Sequence, residues 1–162
     1  MASIKYGCLT LGVSTVELPV AASQYFRHNG VNAEYLDGSG HVTLALTATA
    51  TLYGIAIVPN GMGAGTSANY WLSSATAGAD KIHVITVDKG ARFLCPADDT
   101  ATAAMIGNTA DLVVVNDGTA TYVDVGTTST DVFLIDGIGS DAGGATTDVI
   151  IKLNPAKVQA DT

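Results

Sequence analysis

Lys81-Ile82-His83-Val84-Ile85-Thr86-Val87, running into Asp88-Lys89-Gly90 and then Arg92-Phe93-Leu94-Cys95, is the stretch that decides the fold. Short runs in which apolar and polar residues alternate, separated by residues that tolerate positive φ, are the pattern of half-buried strands joined by tight turns. The pattern recurs at Asp111 to Val115, Thr121 to Val125, Asp131 to Ile135 and Asp148 to Leu153, with Asn116-Asp117-Gly118 as a further turn. These segments predict a small antiparallel β-barrel over 81–154. Only at Thr102 to Ile106 is a single helical turn expected, capped from Asp98-Asp99-Thr100.

Working outward, the N-terminal part shows the same alternation less regularly. Strands are expected at Ile4 to Leu11, Ala33 to Leu36, His41 to Ala48 and Thr51 to Val58, with Asp37-Gly38-Ser39-Gly40 turning one hairpin. The chain therefore divides into an N-terminal arm with strands (1–58), a Gly/Ala/Ser-rich loop or linker (59–80), the barrel (81–154) and a tail (155–162). The fold class is all-β, an antiparallel barrel or sandwich with an extended N-terminal arm.

Composition narrows the function. The 162 residues carry 18 Gly and only 14% charged residues, against about 25% in ordinary soluble domains, so Thr, Ser, Ala and Gly must cover much of the surface. With 7 Lys+Arg against 15 Asp+Glu, the net charge of −8 opposes binding to nucleic acid or an anionic membrane, because no basic cluster exists to neutralise phosphates. No apolar run reaches the roughly 20 residues of a spanning helix. Ser14, Thr15 and Glu17 interrupt the apolar stretch Leu9 to Val20, and a retained N terminus is expected. Cys8 and Cys95 match neither a disulfide framework nor a metal-ligand spacing, and two buried free thiols are expected.

The catalytic inventory is thin. His83 lies within a strand pattern, Gly38-Ser39-Gly40-His41 lacks the strand-to-helix setting of a nucleophile elbow, and Gly61-Met62-Gly63-Ala64-Gly65 is not followed by the Lys-Ser/Thr of a phosphate loop. Asp136, Asp141 and Asp148 flank the loop Gly137 to Gly144 and could gather oxygen ligands around Ca²⁺, but their spacing fits no calcium repeat and Asp with Gly is ordinary turn chemistry. No catalytic, cofactor or metal residues are assigned. Contact residues are more legible. Ile4 and Tyr6 lie on an arm strand able to pair with another chain, while Tyr25-Phe26-Arg27 and Tyr70-Trp71 concentrate aromatics of the kind that anchor interfaces. Packing within the chain's own core is the competing reading for both aromatic groups.

The succession Lys81-Ile82-His83-Val84-Ile85-Thr86-Val87, Arg92-Phe93-Leu94-Cys95-Pro96, Ile106-Gly107-Asn108-Thr109-Ala110-Asp111-Leu112-Val113, Phe133-Leu134-Ile135-Asp136-Gly137-Ile138 and Val149-Ile150-Ile151-Lys152-Leu153-Asn154 resembles the capsid decoration (cement) proteins of tailed bacteriophages and similar small virion β-barrel proteins. Ile106 to Leu112 is its most specific part, and the likeness covers about half the chain. Pro155 departs from the polar or His residue that often follows the last strand in similar proteins. The resemblance implies a non-enzymatic virion structural protein, made in the host cytoplasm and bound to the capsid exterior. Its implied partners are the major capsid protein and further copies of itself, as a trimer ahead of a dimer. Alternatives are a self-associating or adhesive surface β protein and a small-ligand-binding β module.

Overall fold

The computed structural model describes residues 6–28, 30–58, 70–115, 120–126, 128–139 and 148–159. In chain order the strands are β1 (Gly7–Cys8), β2 (Val16–Pro19), β3 (Tyr25–Arg27), β4 (Asn32–Leu36), β5 (Val42–Leu44), β6 (Gly54–Ile57), β7 (Tyr70–Leu72), β8 (Lys81–Thr86), β9 (Phe93–Pro96), β10 (Thr109–Val115), β11 (Ala120–Asp124), β12 (Phe133–Ile138) and β13 (Asp148–Leu153). They pair antiparallel in three sheets, β2-β8-β6-β4-β5, β1-β9-β13-β12-β10-β11 and the small pair β3-β7. The chain is all-β, as its alternation predicts.

The two large sheets repeat one another. The order β2-β8-β6-β4-β5 in the first becomes β9-β13-β12-β10-β11 in the second. Register carries across as well. Pro19 faces Lys81 as Pro96 faces Asp148, Leu36 faces Val42 as Leu112 faces Val123, and Ala56 faces Val84 as Ile135 faces Ile151. Each sheet curls until the residue after its first strand meets its far edge: Val20 bridges Val42, and Ala97 bridges Val123. In both, the next N–H closes the contact, Ala21 donating to the Val42 carbonyl and Asp98 to the Val123 carbonyl at 3.0 Å each. Curling in this way satisfies edge groups that a flat sheet would leave open. One β-bulge, between Ile135 and Gly137, breaks the correspondence.

This arrangement corrects several expectations. Lys81 to Thr86 belongs to the first unit, so the barrel expected over 81–154 begins at β9 instead. The Asp88-Lys89-Gly90 segment is no hairpin turn: Val87–Lys89 forms a 3-10 turn ended by Gly90 at φ 60°, and it carries the chain from one sheet to the other. The 3-10 turn Ala103–Met105 does fall within Thr102 to Ile106, but it starts at Thr102 without a side-chain cap. Asp98 Oδ1 accepts instead from the Val125 N–H, and Asp99 Oδ1 from the Thr100 N–H. Within the expected linker 59–80, Tyr70–Leu72 is a strand, and residues 59–69 lie outside the described residues.

The units are joined by a shared core and by exchanged ends. Ala33, Ile55 and Ile85 point out of the first unit into a cluster that continues through Phe93, Leu112, Phe133 and Ile151 of the second. Their strand neighbours Ala56 and Val84 point the other way, into a separate core with Val20, Val42 and Ile82. Over Asn32–Glu34, Gly54–Ala56 and Val84–Ile85, strands β4, β6 and β8 are thus buried on both faces. From the N-terminal end, β1 adds to the edge of β9, and Leu9 N–H donates to the Arg92 carbonyl at 2.8 Å. From the C-terminal end, the Gln159 side chain exchanges two hydrogen bonds of 2.7 Å with the Leu36 backbone, and Leu52 bridges Val158.

Double burial makes Gly54 indispensable. A Cβ there would overlap the Ile85 carbonyl oxygen and come within 2.6 Å of Val84 Cγ1. Because both contacts belong to the adjacent central strand, Gly54→Ala is expected to lower stability by about 2 kcal/mol, measured by urea denaturation.

Candidate functional site

The expected contact residues fall into three environments. Ile4 lies outside the described residues, and Tyr6 is half-buried, its hydroxyl donating to Asp148 Oδ1 at 3.0 Å. This bond ties the arm to β13. The arm beyond β1 turns into solvent: Leu9 is exposed, and Leu11 keeps 96% of its surface in water. Val16, at the start of β2, is exposed too. Three large apolar side chains on one short segment are not explained by packing within the chain.

Tyr25-Phe26-Arg27 and Tyr70-Trp71 are brought together by the pairing of β3 with β7, in which Phe26 faces Trp71. Alternation then splits the group. Phe26 and Trp71 point inward, stacked with ring centroids 5.4 Å apart, and are 0% and 1% exposed among Val20, Val42, Ala56, Ile82 and Val84. They are core residues of the first unit, not surface anchors, which corrects the expectation for both. Tyr25 and Tyr70 point outward, edge to face at 5.3 Å, and Tyr25 is 43% exposed. The small sheet is therefore a cover, aromatic on both sides.

Side chains fasten this cover to the unit beneath it. Asn32, buried on β4, accepts from the Arg27 N–H at 2.8 Å and donates to the Arg27 carbonyl at 2.9 Å, replacing a missing strand partner. Ser73 Oγ accepts from the Gln24 N–H and donates to the Ala21 carbonyl, each at 2.8 Å. Gln24 Oε1 accepts from the Leu44 N–H at 2.9 Å. Between cover and arm runs a groove of about 460 Å³, lined by Tyr6, Cys8, Arg27 and His28 together with Ile57 and Phe93. Tyr6 and Arg27 thus share one site, while Tyr25 and Tyr70 lie together on the outer face of the cover.

Other candidate groups have structural partners. Asp136 is ion-paired with Lys152 at 3.2 Å and Arg92 at 2.5 Å, and these two cations hold its carboxyl below the usual range. Of the other carboxylates weighed for calcium and not assigned to it, Asp148 accepts from Tyr6 and Asp141 lies outside the described residues; among the described residues no three His, Cys, Asp or Glu converge. Burial works against ionised Asp111, but N–H groups of Asp131, Ser129 and Thr130 outweigh it and hold its pKa low. Burial, followed by the Asp148 charge, pushes the Cys95 thiol up; Cys8, expected to be buried as well, is instead an exposed free thiol on the edge strand β1.

One group escaped the sequence reading. Glu34 is 0% exposed, and neither of its oxygens has a hydrogen-bond partner among the described residues. Within Asn32 to Leu36 only the alternation of an acid between Ala33 and Tyr35 was visible, and this reads equally well as a solvent-facing position.

Because Trp71 closes the inner core, Trp71→Ala is expected to lose about 3–5 kcal/mol of stability by urea denaturation followed by circular dichroism, whereas Tyr25→Ala loses less than about 1 kcal/mol. No family model, curated protein or solved structure matches the chain.

Proposed function

We propose that this chain is a virion structural protein of the decoration type, docking on the outer surface of a capsid and bridging major capsid protein subunits. The observation that carries the reading is the N-terminal arm. It is pinned at one end by β1 on β9 and by Tyr6 on Asp148, yet it presents Leu9 and Leu11 to solvent. An arm anchored to a rigid scaffold, with apolar side chains held outside the core, loses little conformational freedom when those side chains enter a pocket. The Tyr25–Tyr70 pair, with Tyr25 exposed and Tyr70 half-buried, supplies a second, amphipathic contact.

Several features support this role. Low charge density lets a wide surface be buried without desolvating many ions, and the net charge of −8 opposes attachment to packaged nucleic acid. The C-terminal segments resemble those of phage decoration proteins. A protein that binds only the assembled lattice stabilises it by linkage, and several copies joined as a trimer attach more strongly than one. The role requires binding and needs no reaction step.

The reading is tested by sedimentation with capsids stripped of this protein. Wild-type chain is expected to co-sediment, and Leu9→Asp/Leu11→Asp to bind at least about tenfold more weakly while remaining folded, since one lost anchor is worth about 1–2 kcal/mol. Tyr25→Ala/Tyr70→Ala is expected to weaken binding less. Undiminished binding by both folded variants would move the contact away from the arm and the cover.

A further inference from the structure

Glu34 occupies a position where the fold needs no acid. By the shared register, β4 and β5 pair Leu36 with Val42 as β10 and β11 pair Leu112 with Val123, so Glu34 corresponds to Ala110. Opposite these residues stand Gly54 in the first unit and Phe133 in the second. The second unit thus fills this layer with Ala110 and Phe133, both buried and apolar. The first sets a buried Glu34 across from a glycine, and gives its carboxyl no hydrogen bond among the described residues.

No described charge faces the carboxyl to offset its burial. Strand β5 carries no titratable residue, and His41 just before it is turned to Asp37 at 3.4 Å. Beside β6 stands Tyr53, and on β8 Lys81 and His83 lie on the opposite face with Glu17 of β2. On the cover, Tyr25, Arg27 and Tyr70 alternate away from inward-pointing Phe26 and Trp71, and His28 follows β3. Burial alone lifts the Glu34 pKa from its ordinary 4.5 to about 8. An ionised carboxylate without a partner is far costlier to bury than the neutral acid.

We propose that Glu34 is a proton-operated latch on the β3–β7 cover: protonated, it lets the cover close over the inner core, and on losing its proton to water it favours an open state in which Phe26 and Trp71 are exposed. The cover is the element suited to move. It is a two-stranded sheet tied to the unit largely by side chains of Asn32, Ser73 and Gln24, whereas β4, β6 and β8 are locked between two cores. The direction follows from the pKa difference. The closed state binds the extra proton, so its advantage is fully present below about 4.5 and is lost as pH rises towards about 8, with the open population increasing about tenfold per pH unit between them. This device does not depend on capsid docking.

Hydrogen exchange of the whole chain tests it. The Arg27 and Ser73 amides bond to Asn32 and Gln24 across the cover, and the Ile135 amide bonds to Asn108 inside the second unit. Exchange itself accelerates about tenfold per pH unit, and opening that releases one proton multiplies this, so cover amides are expected to accelerate about a hundredfold per unit between about pH 5.5 and 7.5. They should exchange faster than Ile135 throughout. In Glu34→Gln, or in Glu34→Leu if the amide fails to fold, the dependence is expected to fall to about tenfold. Wild-type cover amides that accelerate only tenfold, a steep dependence that survives in the folded variant, or cover rates equal to that of Ile135 would each overturn the proposal. Should neither variant fold, quenching of Trp71, the chain's single Trp, by acrylamide decides: it must rise in the wild type from about pH 6 to about pH 9, and a flat profile overturns the latch.

Discussion

The rest of the structure depends on the burial of one sheet on both of its faces. Strands β4, β6 and β8 send Ala33, Ile55 and Ile85 into the core shared with the second unit, and send Ala56 and Val84 into the core closed by Phe26 and Trp71. Where both faces are covered, at the centre of β4 and β6, there is no solvent side on which to place polar residues, and the strands tend towards continuous apolar or small side chains, whereas β8 keeps Lys81 and His83 exposed at its outer end. Gly-Ile-Ala in β6 is such a run. Asn32 and Glu34 on β4 are the exceptions, and each is tied to the cover: Asn32 by holding Arg27, Glu34 by lying in the core that the cover closes.

The repeated unit shows how one topology serves two settings. Pro19 and Pro96 end the first strand of each unit, Asn32 and Asn108 precede the same layer, and Leu36 and Leu112 face Val42 and Val123. Around this frame the units differ. The first turns an apolar outer wall to its neighbour, while the second places Lys152 and Leu134 at the positions matching Ile85 and Ile55, with Lys152 paired to Asp136. The contact is therefore one-sided, and the exchanged ends, β1 on β9 and Gln159 on Leu36, fasten it from both directions. The same asymmetry leaves the arm's apolar residues outside, where the proposed docking uses them.

Much of the fold class was legible and much of its assembly was not. Strands with a single buried face, such as β12 and β13, show their alternation, and Asp37 to Gly40 predicts the β4–β5 hairpin because its residues tolerate the turn. Strand β2 was missed because Val-Glu-Leu-Pro is short and ends in proline, and β3 and β7 because three residues are too few for a period. Assignment of β8 to the first unit is a matter of pairing, which alternation within one strand cannot specify. The repeat itself stayed hidden because so few of its matched positions keep the same residue. At the candidate site, sequence placed the aromatics but not their inward or outward facing, and Glu34 carried no local sign of double burial.

The central claim, that two units are welded into one by a shared core, is tested most directly by equilibrium urea unfolding at about pH 4.5, where the cover is held closed, observed from both units at once. Trp71 fluorescence reports the first unit and the Phe133 and Ile151 resonances report the second. A shared core predicts coincident midpoints and a single cooperative transition. Two separated transitions, with the second unit retaining its resonances after Trp71 has become exposed, would contradict the account.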